Sequence, residues 1–182
     1  AATSATVILA VKKILRESER QLERERVGVL GLGSIGLTSL RLMLSTLPHP
    51  KTLLLCDLYD KRDVLENARR EIVHDFGFAG EIQIAASRRE VPPAFYAASL
   101  ILGATNTPDV LDIAQVRPGT LIVDDSSPRC FSSEAALQRL YTDGDILFTE
   151  GGVLKSPDPI RQTTYLPESW SEPLIGYARR DI

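Results

Sequence analysis

The amino-acid sequence predicts an α/β domain built on a doubly wound parallel sheet of about six strands, with an N-terminal helix before it. Two observations lead to this prediction. Short apolar runs of the kind found in strands buried on both faces recur along the chain. Amphipathic segments with apolar residues three and four positions apart separate most of these runs, as helices that cover a sheet would.

The strands are predicted at residues 27–31, 52–56, 81–85, 99–103, 120–124 and 145–148. Helices are predicted at residues 3–25, 34–46, 63–76 and 132–141, with one more beginning at Asp109. Right-handed crossovers between parallel strands then place helices on both faces of the sheet. We expect three parts: a connecting helix at residues 1–26, the α/β domain at residues 27–155 and an extended C-terminal tail at residues 156–182.

Composition narrows the class of protein. The chain has 182 residues and a net charge of −3, and 43% of its residues are hydrophobic. This profile is typical of a globular protein that binds neither nucleic acid nor membrane. The apolar stretch at residues 5–11 is too short to span a bilayer and runs into Lys12 and Lys13. The two cysteines have no metal-ligand spacing and form no disulfide framework, so we expect a cytoplasmic protein without a metal site.

A G-x-G-x-x-G motif lies between the first strand and the helix that follows it, with its glycines at Gly31, Gly33 and Gly36. In such a turn the first glycine allows the tight bend, the second admits a pyrophosphate to the backbone, and the third lets helix and strand pack closely. Ser34 and Ile35 open the helix, whose free N–H groups attract an anion. The motif therefore predicts a Rossmann-type dinucleotide site.

An acidic residue stands where this kind of site needs one. Asp57 ends the second strand, 21 residues after Gly36 (57 − 36). A carboxylate at this place binds the adenosine ribose hydroxyls and repels a 2′-phosphate, which favours NAD over NADP. Lys61 and Arg62 follow closely and keep NADP open as the alternative, because their cationic groups can bind that phosphate. Otherwise they are ordinary surface charges.

The loops after two later strands are predicted to complete the site. Ala104, Thr105 and Asn106 follow the fourth strand, and Gly151 and Gly152 follow the sixth. Ligands of such sheets lie at the carboxyl ends of the strands, and small residues there allow a ribose or a flat ring to approach the backbone. The alternative for the first of these loops is a polar segment that only caps the next helix.

Three more side chains follow the fifth strand. Asp124 and Asp125 either orient a bound molecule or form a loop turn or helix cap. Cys130 is the one candidate for a catalytic nucleophile, because Arg129 and the N-terminus of the next helix can lower the pKa of a thiol. The alternative is that Cys130 is a small buried apolar residue beside Phe131.

Taken in order, these segments resemble the cofactor domain of the cyanobacterial-type long-chain fatty acyl–acyl carrier protein reductases. They are more distantly similar to shikimate dehydrogenase and glutamyl-tRNA reductase. The resemblance is carried by the helix at residues 6–16, the glycine motif, and residues 104–108, 118–125 and 151–153. It implies a reductase that passes hydride from a nicotinamide to an acyl thioester and releases an aldehyde. It also implies a preference for NADPH and a cysteine nucleophile outside the matched segments.

We therefore expect the NAD(P)-binding domain of an oxidoreductase. Hydride would pass to or from a carbonyl or acyl-thioester substrate, held partly by a substrate domain outside these residues or by a second copy of the chain. Two alternatives remain open. One is a regulatory module that senses a dinucleotide without catalysis. The other is an S-adenosylmethionine methyltransferase, a class that also uses a glycine-rich turn and an acid at the end of the second strand.

Overall fold

A computed structural model describes residues 2–58, 61–87 and 90–152. The tail expected at residues 156–182 lies outside the described residues. The helices are α1 (Ala2–Glu17), α2 (Ser34–Thr46), α3 (Arg62–His74) and α4 (Ser133–Thr142). The strands are β1 (Arg26–Leu30), β2 (Thr52–Asp57), β3 (Glu81–Ala86), β4 (Leu100–Gly103), β5 (Leu121–Asp124) and β6 (Leu147–Glu150).

All six of these strands form one parallel sheet in the order β3-β2-β1-β4-β5-β6, which confirms the predicted fold class. From β1 the chain winds outward to β3, returns, and then winds in the opposite direction from β4 to β6. Leu30 at the end of β1 pairs with Cys56 on one side and with Gly103 on the other. The carboxyl ends of β1, β2 and β4 therefore meet at the point where the winding reverses, which is where α/β sheets bind ligands.

The sheet separates two hydrophobic clusters, because successive side chains of a strand point to opposite faces. In β2, Leu53 and Leu55 contact the first cluster, whereas Leu54 and Cys56 contact the second. Helices α1, α2 and α3 pack their buried side chains against the strand residues of the first cluster. The second cluster is covered by α4, the connecting loops and a short 3-10 helix at Pro93–Ala97.

Helix α1 is shorter than the predicted helix at residues 3–25, and that prediction was wrong for residues 18–25. The helix ends at Glu17, and Glu19 adopts a left-handed φ of 54°. The side chain of Arg20 then donates hydrogen bonds to the Glu25 carboxylate and to the carbonyl oxygen of Gly119. These tertiary contacts stabilise the turn more than the helical propensity of the charged segment stabilises a straight helix.

The apolar face of α1 is buried in the first cluster through the following residues: Val7, Ile8, Val11, Ile14 and Leu15. The helix packs against α2, β5 and β6. It thus covers the part of the sheet that α2 and α3 leave open. Among the described residues no helix is long and apolar enough to cross a membrane.

The helix expected from Asp109 does not form, so this prediction was also wrong. Residues 108–119 make successive turns instead, and Asp109 has a positive φ of 50°. The backbone N–H groups of Asp109 and Leu111 donate to the carbonyl oxygens of Arg129 and Cys130. These bonds tie the segment to the loop after β5, and the positive φ of Asp109 does not fit a right-handed helical turn. Other element ends agree with the predictions to within two residues.

Candidate functional site

A cleft of about 380 Å³ opens at the carboxyl edge of the sheet, above the ends of β1, β2, β4 and β5. It is lined by Gly31, Gly33, Ser34, Ile35, Asp57, Lys61, Ala104, Thr105, Asn106, Asp125 and Ser127. The cleft brings together most of the residues for which the sequence predicted a role in dinucleotide binding. Gly36, Gly151 and Gly152 were predicted with them, but they lie outside the lining.

Two of the three motif glycines are required by the packing of the protein itself. Gly31 has a φ of +90°, and its N–H donates to the carbonyl oxygen of Cys56 at 2.8 Å. A Cβ on Gly31 would lie 2.5 Å from the carbonyl oxygen of Ala104, and a Cβ on Gly36 would overlap the carbonyl oxygen of Gly31. Both glycines therefore let α2 and the loop after β4 approach the turn closely.

Gly33 differs from the other two. Apart from Gly33 itself and its two chain neighbours, no atom in the described part of the chain lies within 4 Å of the position that its Cβ would take. Its φ of −72° is one that any residue adopts. It is the N-cap of α2 and has no side chain that accepts hydrogen bonds from the N–H groups of the first turn. The space above it is therefore open beside a helix N-terminus, which favours a bound anion.

Asp57 has a structural role that the sequence did not reveal. It is only 2% exposed, and its Oδ2 accepts a hydrogen bond from the Leu32 N–H at 3.0 Å. Its Oδ1 lies 3.9 Å from Lys61 Nζ. Asp57 thus braces the glycine turn from β2 while it also lines the cleft. Arg62, the other cation weighed for a 2′-phosphate, opens α3 as an exposed residue outside the cleft lining.

The loop after β4 is held where it begins, by bonds from two consecutive residues. The Ala104 N–H donates to the Leu30 carbonyl oxygen at 2.8 Å, and the Thr105 N–H donates to Ser126 Oγ at 3.1 Å. The Thr105 hydroxyl accepts from the Thr107 N–H at 3.2 Å, a local turn. Because no helix follows at Asp109, the alternative interpretation of this loop as a helix cap does not apply.

The two acids after β5 have different environments. Asp124 is buried and accepts hydrogen bonds from the N–H groups of Ser126 and Cys130, at 3.1 Å and 3.2 Å. It therefore shapes the loop, as the turn interpretation predicts. Asp125 is half-buried and lines the cleft. Burial, and then the charges of Asp124 and Glu150, raise the pKa of Asp125 above the usual range of a carboxyl.

The environment of Cys130 is opposite to the one expected of a nucleophile. The residue is 0% exposed, and burial followed by the charge of Asp124 raises the pKa of its thiol. Arg129 donates to Glu150 Oε2 at 2.9 Å, so its charge is paired with a carboxylate. The structure thus agrees with the buried, apolar interpretation of Cys130. Cys56 is also buried, which raises the pKa of its thiol to about 12.

Gly151 and Gly152 lie behind the cleft, next to Asp125. A Cβ on Gly152 would be 2.6 Å from Asp125 Oδ1, and a Cβ on Gly151 would be 3.1 Å from Val7 Cγ2 in α1. Their missing side chains leave room for the Asp125 carboxylate and for α1. No group of His, Cys, Asp and Glu side chains in residues 2–58, 61–87 and 90–152 is arranged to hold a metal ion.

Three residues line the cleft although the sequence did not assign them to the predicted cofactor set: Lys61, Asp125 and Ser127. Lys61 was considered as a partner of a 2′-phosphate and Asp125 as a residue that orients a bound molecule, whereas Ser127 was given no role. The signal that could have found all three is their position just after β2 or β5, since strand ends of a parallel sheet meet at one edge.

No family model matches the chain, and no curated protein matches it in sequence. Solved structures do match. One is a short-chain alcohol dehydrogenase of E. coli in complex with NADH, with a TM-score of 0.55, 19% identity and coverage of 83% of this chain and 42% of that one. Another is shikimate 5-dehydrogenase of Listeria monocytogenes with shikimate and NAD, with a TM-score of 0.53, 12% identity and coverage of 80% and 52%.

L-tryptophan dehydrogenase of Nostoc punctiforme is similar as well, with a TM-score of 0.56, 20% identity and coverage of 81% of this chain and 40% of that one. The present chain thus spans about half the length, or less, of these three dehydrogenases. At such identities the likeness shows that the chain has the Rossmann-like α/β fold found in these proteins. It does not by itself transfer an activity.

Proposed function

We propose that this chain binds a nicotinamide dinucleotide in the cleft and serves as the cofactor domain of an oxidoreductase. The observation that carries the proposal is the open space above Gly33, at the N-terminus of α2. The protein's own packing does not require glycine at this position, whereas a diphosphate close to the backbone does require it. Asp57 and the loop after β4 flank that space on its two sides.

The lining residues fit the parts of such a molecule. The start of α2 offers N–H groups and the positive end of a helix dipole to the diphosphate. The Asp57 carboxylate suits the hydroxyls of a ribose, and Thr105 and Asn106 offer polar groups on the opposite side of the turn. When bound, the nicotinamide supplies the hydride chemistry, and the residues of this chain bind and orient it. Structural neighbours crystallised with NADH or NAD support this choice of ligand.

The choice between NAD and NADP depends on two neighbouring charges. Asp57 repels a 2′-phosphate and favours NAD. Lys61, whose Nζ lies 3.9 Å from Asp57 Oδ1, offsets part of that negative charge. Asp57 is the more buried of the two, so its charge is screened less by solvent and we propose NAD as the preferred cofactor.

The substrate proposal is broader. We propose a carbonyl or acyl-thioester substrate, as the resemblance to acyl carrier protein reductases implies, with part of its site supplied from outside the described residues. The burial of Cys130 makes it unsuitable as the nucleophile of a thioester reductase. Cys56, the other cysteine of the chain, is buried as well. A cysteine nucleophile for that chemistry would therefore come from another domain.

Titration of the protein with NADH and with NADPH, followed by nicotinamide fluorescence, tests the proposal. We expect saturable binding of both and tighter binding of NADH. Asp57→Asn keeps an oxygen for the Leu32 N–H but removes the charge, so the preference should shift toward NADPH by about tenfold, or 1.4 kcal/mol. Lys61→Ala should shift the preference further toward NADH. If S-adenosylmethionine binds and neither dinucleotide does, the proposal is wrong and the methyltransferase alternative gains support.

A further inference from the structure

The cleft has two halves, because a sheet of this order is built from two units that each accept one mononucleotide. Asp57 and Lys61 belong to the half formed by β1, β2 and β3. Asp125 and Ser127 follow β5 and belong to the half formed by β4, β5 and β6. If the adenosine part lies over the first half, the nicotinamide part lies over the second. Asp125 is the carboxylate on that side of the lining.

Asp125 is fixed in place by its backbone, and its side chain is not used by the fold. Its N–H donates to the Gly103 carbonyl oxygen at 2.8 Å, which extends the pairing of β4 with β5. Its carboxylate accepts no hydrogen bond and forms no ion pair within the described ranges. The absence of a side chain on Gly152 leaves space next to Asp125 Oδ1. A carboxylate in this position is available to a bound molecule.

The charges around Asp125 make this half of the cleft negative. Asp124 is the last residue of β5 and Glu150 the last of β6, and the charges of both raise the pKa of Asp125. Arg129 is the nearby cation, and it is paired with Glu150 at 2.9 Å. The neighbouring elements do not offset this negative charge. The first two turns of α1 carry no charged side chain, and Thr105 and Asn106 in the loop after β4 are neutral. A positive charge brought next to Asp125 is therefore stabilised.

We propose that the Asp125 carboxylate gives this half of the cleft a preference for the oxidised form of the cofactor. The oxidised nicotinamide ring carries a positive charge and the reduced ring is neutral. An ionised carboxylate therefore stabilises the bound oxidised ring more than the bound reduced ring. Asp125 then sets which oxidation state the domain holds more tightly. This inference rests on the proposed function, since it requires that a nicotinamide dinucleotide binds in the cleft.

Calorimetric titration with NAD⁺ and with NADH tests the inference; NADP⁺ and NADPH replace them if the protein prefers the phosphorylated pair. Three proteins are compared: wild type, Asp125→Asn, and Asp75→Asn as a matched control. Asp75 is an exposed aspartate at the C-cap of α3, remote from the cleft lining. We expect Asp125→Asn to lower the ratio of NAD⁺ to NADH affinity by about tenfold, as loss of one partly exposed charge pair predicts. Asp75→Asn should leave the ratio unchanged.

The pH dependence provides a second readout. Asp125 is ionised above its raised pKa, so the affinity for NAD⁺ should fall as the pH is lowered through that pKa, while the affinity for NADH changes little. In Asp125→Asn the pH dependence of NAD⁺ binding should be the same as that of NADH binding. If both forms bind but the ratio is the same in wild type and Asp125→Asn, the inference is wrong and the proposed function stands. If neither form binds to wild type, the proposed function itself fails.

Discussion

Gly31, Gly33 and Gly36 belong to one motif, yet the structure gives them different reasons to be glycine. A Cβ on Gly31 or on Gly36 would collide with backbone carbonyl oxygens of the turn. A Cβ on Gly33 would enter open space within the described part of the chain. The first two glycines are thus explained by folding. The third is not explained by the packing of the described residues, and under the proposed function a bound diphosphate explains it.

This difference predicts opposite effects of two alanine substitutions. Gly36→Ala should reduce the free energy of unfolding by about 2 kcal/mol or more, because backbone must move to admit the methyl group. Gly33→Ala should reduce it by only about 1 kcal/mol, since the φ of Gly33 is ordinary and the cost is that of replacing a favoured N-cap residue with alanine. Denaturant unfolding of both variants provides the comparison. Equal losses of unfolding free energy in the two variants would mean that the turn is not packed as described.

Cysteine reactivity gives a second prediction at this scale. Cys56 and Cys130 are both buried, and both thiols have a raised pKa. We expect neither to react with a thiol-specific reagent in the native protein at neutral pH, and both to react after unfolding in denaturant. Rapid modification of Cys130 in the native state would restore it as a candidate nucleophile.

Sequence alone could not decide the role of Cys130. Its neighbour Arg129 and the start of α4 are visible in the sequence, and they suggest an activated thiol. The pairing of Arg129 with Glu150 and the burial of the thiol depend on how the loop after β5 folds onto β6. The structural role of Asp57 could not be read from the sequence either. Its position predicted contact with a ribose, but its hydrogen bond with the Leu32 N–H depends on how the glycine turn folds next to β2.

At the scale of elements, α1 shows where local pattern and tertiary contact disagree. The apolar spacing of its first part predicted a helix, and that part is helical and buried. The charged segment after it also has helical propensity, but Arg20 pairs with Glu25 and contacts Gly119 across the molecule. Residues 108–119 differ from the prediction for the same reason, since their partners lie at Arg129 and Cys130. Local propensity is weak compared with such contacts.

If α1 is part of the hydrophobic core, replacing one of its buried residues with alanine must lower the free energy of unfolding more than replacing an exposed one. Ile14 is 3% exposed in the first hydrophobic cluster, whereas Leu9 on the same helix is 49% exposed. Ile14→Ala should cost about 2–5 kcal/mol of unfolding free energy. Leu9→Ala, the matched control, should change it by about 0.5 kcal/mol or less. Similar small effects of both substitutions would show that α1 does not pack on the sheet.

At the scale of the whole molecule, alternation of apolar runs and helices was enough to predict a doubly wound parallel sheet. The predicted glycine motif and the loop after β4 also come together in the cleft. The pattern does not show which side chains the strand order β3-β2-β1-β4-β5-β6 brings next to one another. The hydrogen bond from the Leu32 N–H to Asp57, and the approach of Gly152 to Asp125, are contacts of that kind.

The central claim is that the space above Gly33 is the binding site of a nicotinamide dinucleotide. The most direct test is titration of wild type and Gly33→Val with NADH, together with thermal unfolding of both proteins. We predict that Gly33→Val unfolds within a few degrees of wild type but binds NADH at least about tenfold more weakly, a loss of 1.4 kcal/mol or more. Equally tight binding by a folded Gly33→Val protein would contradict the claim.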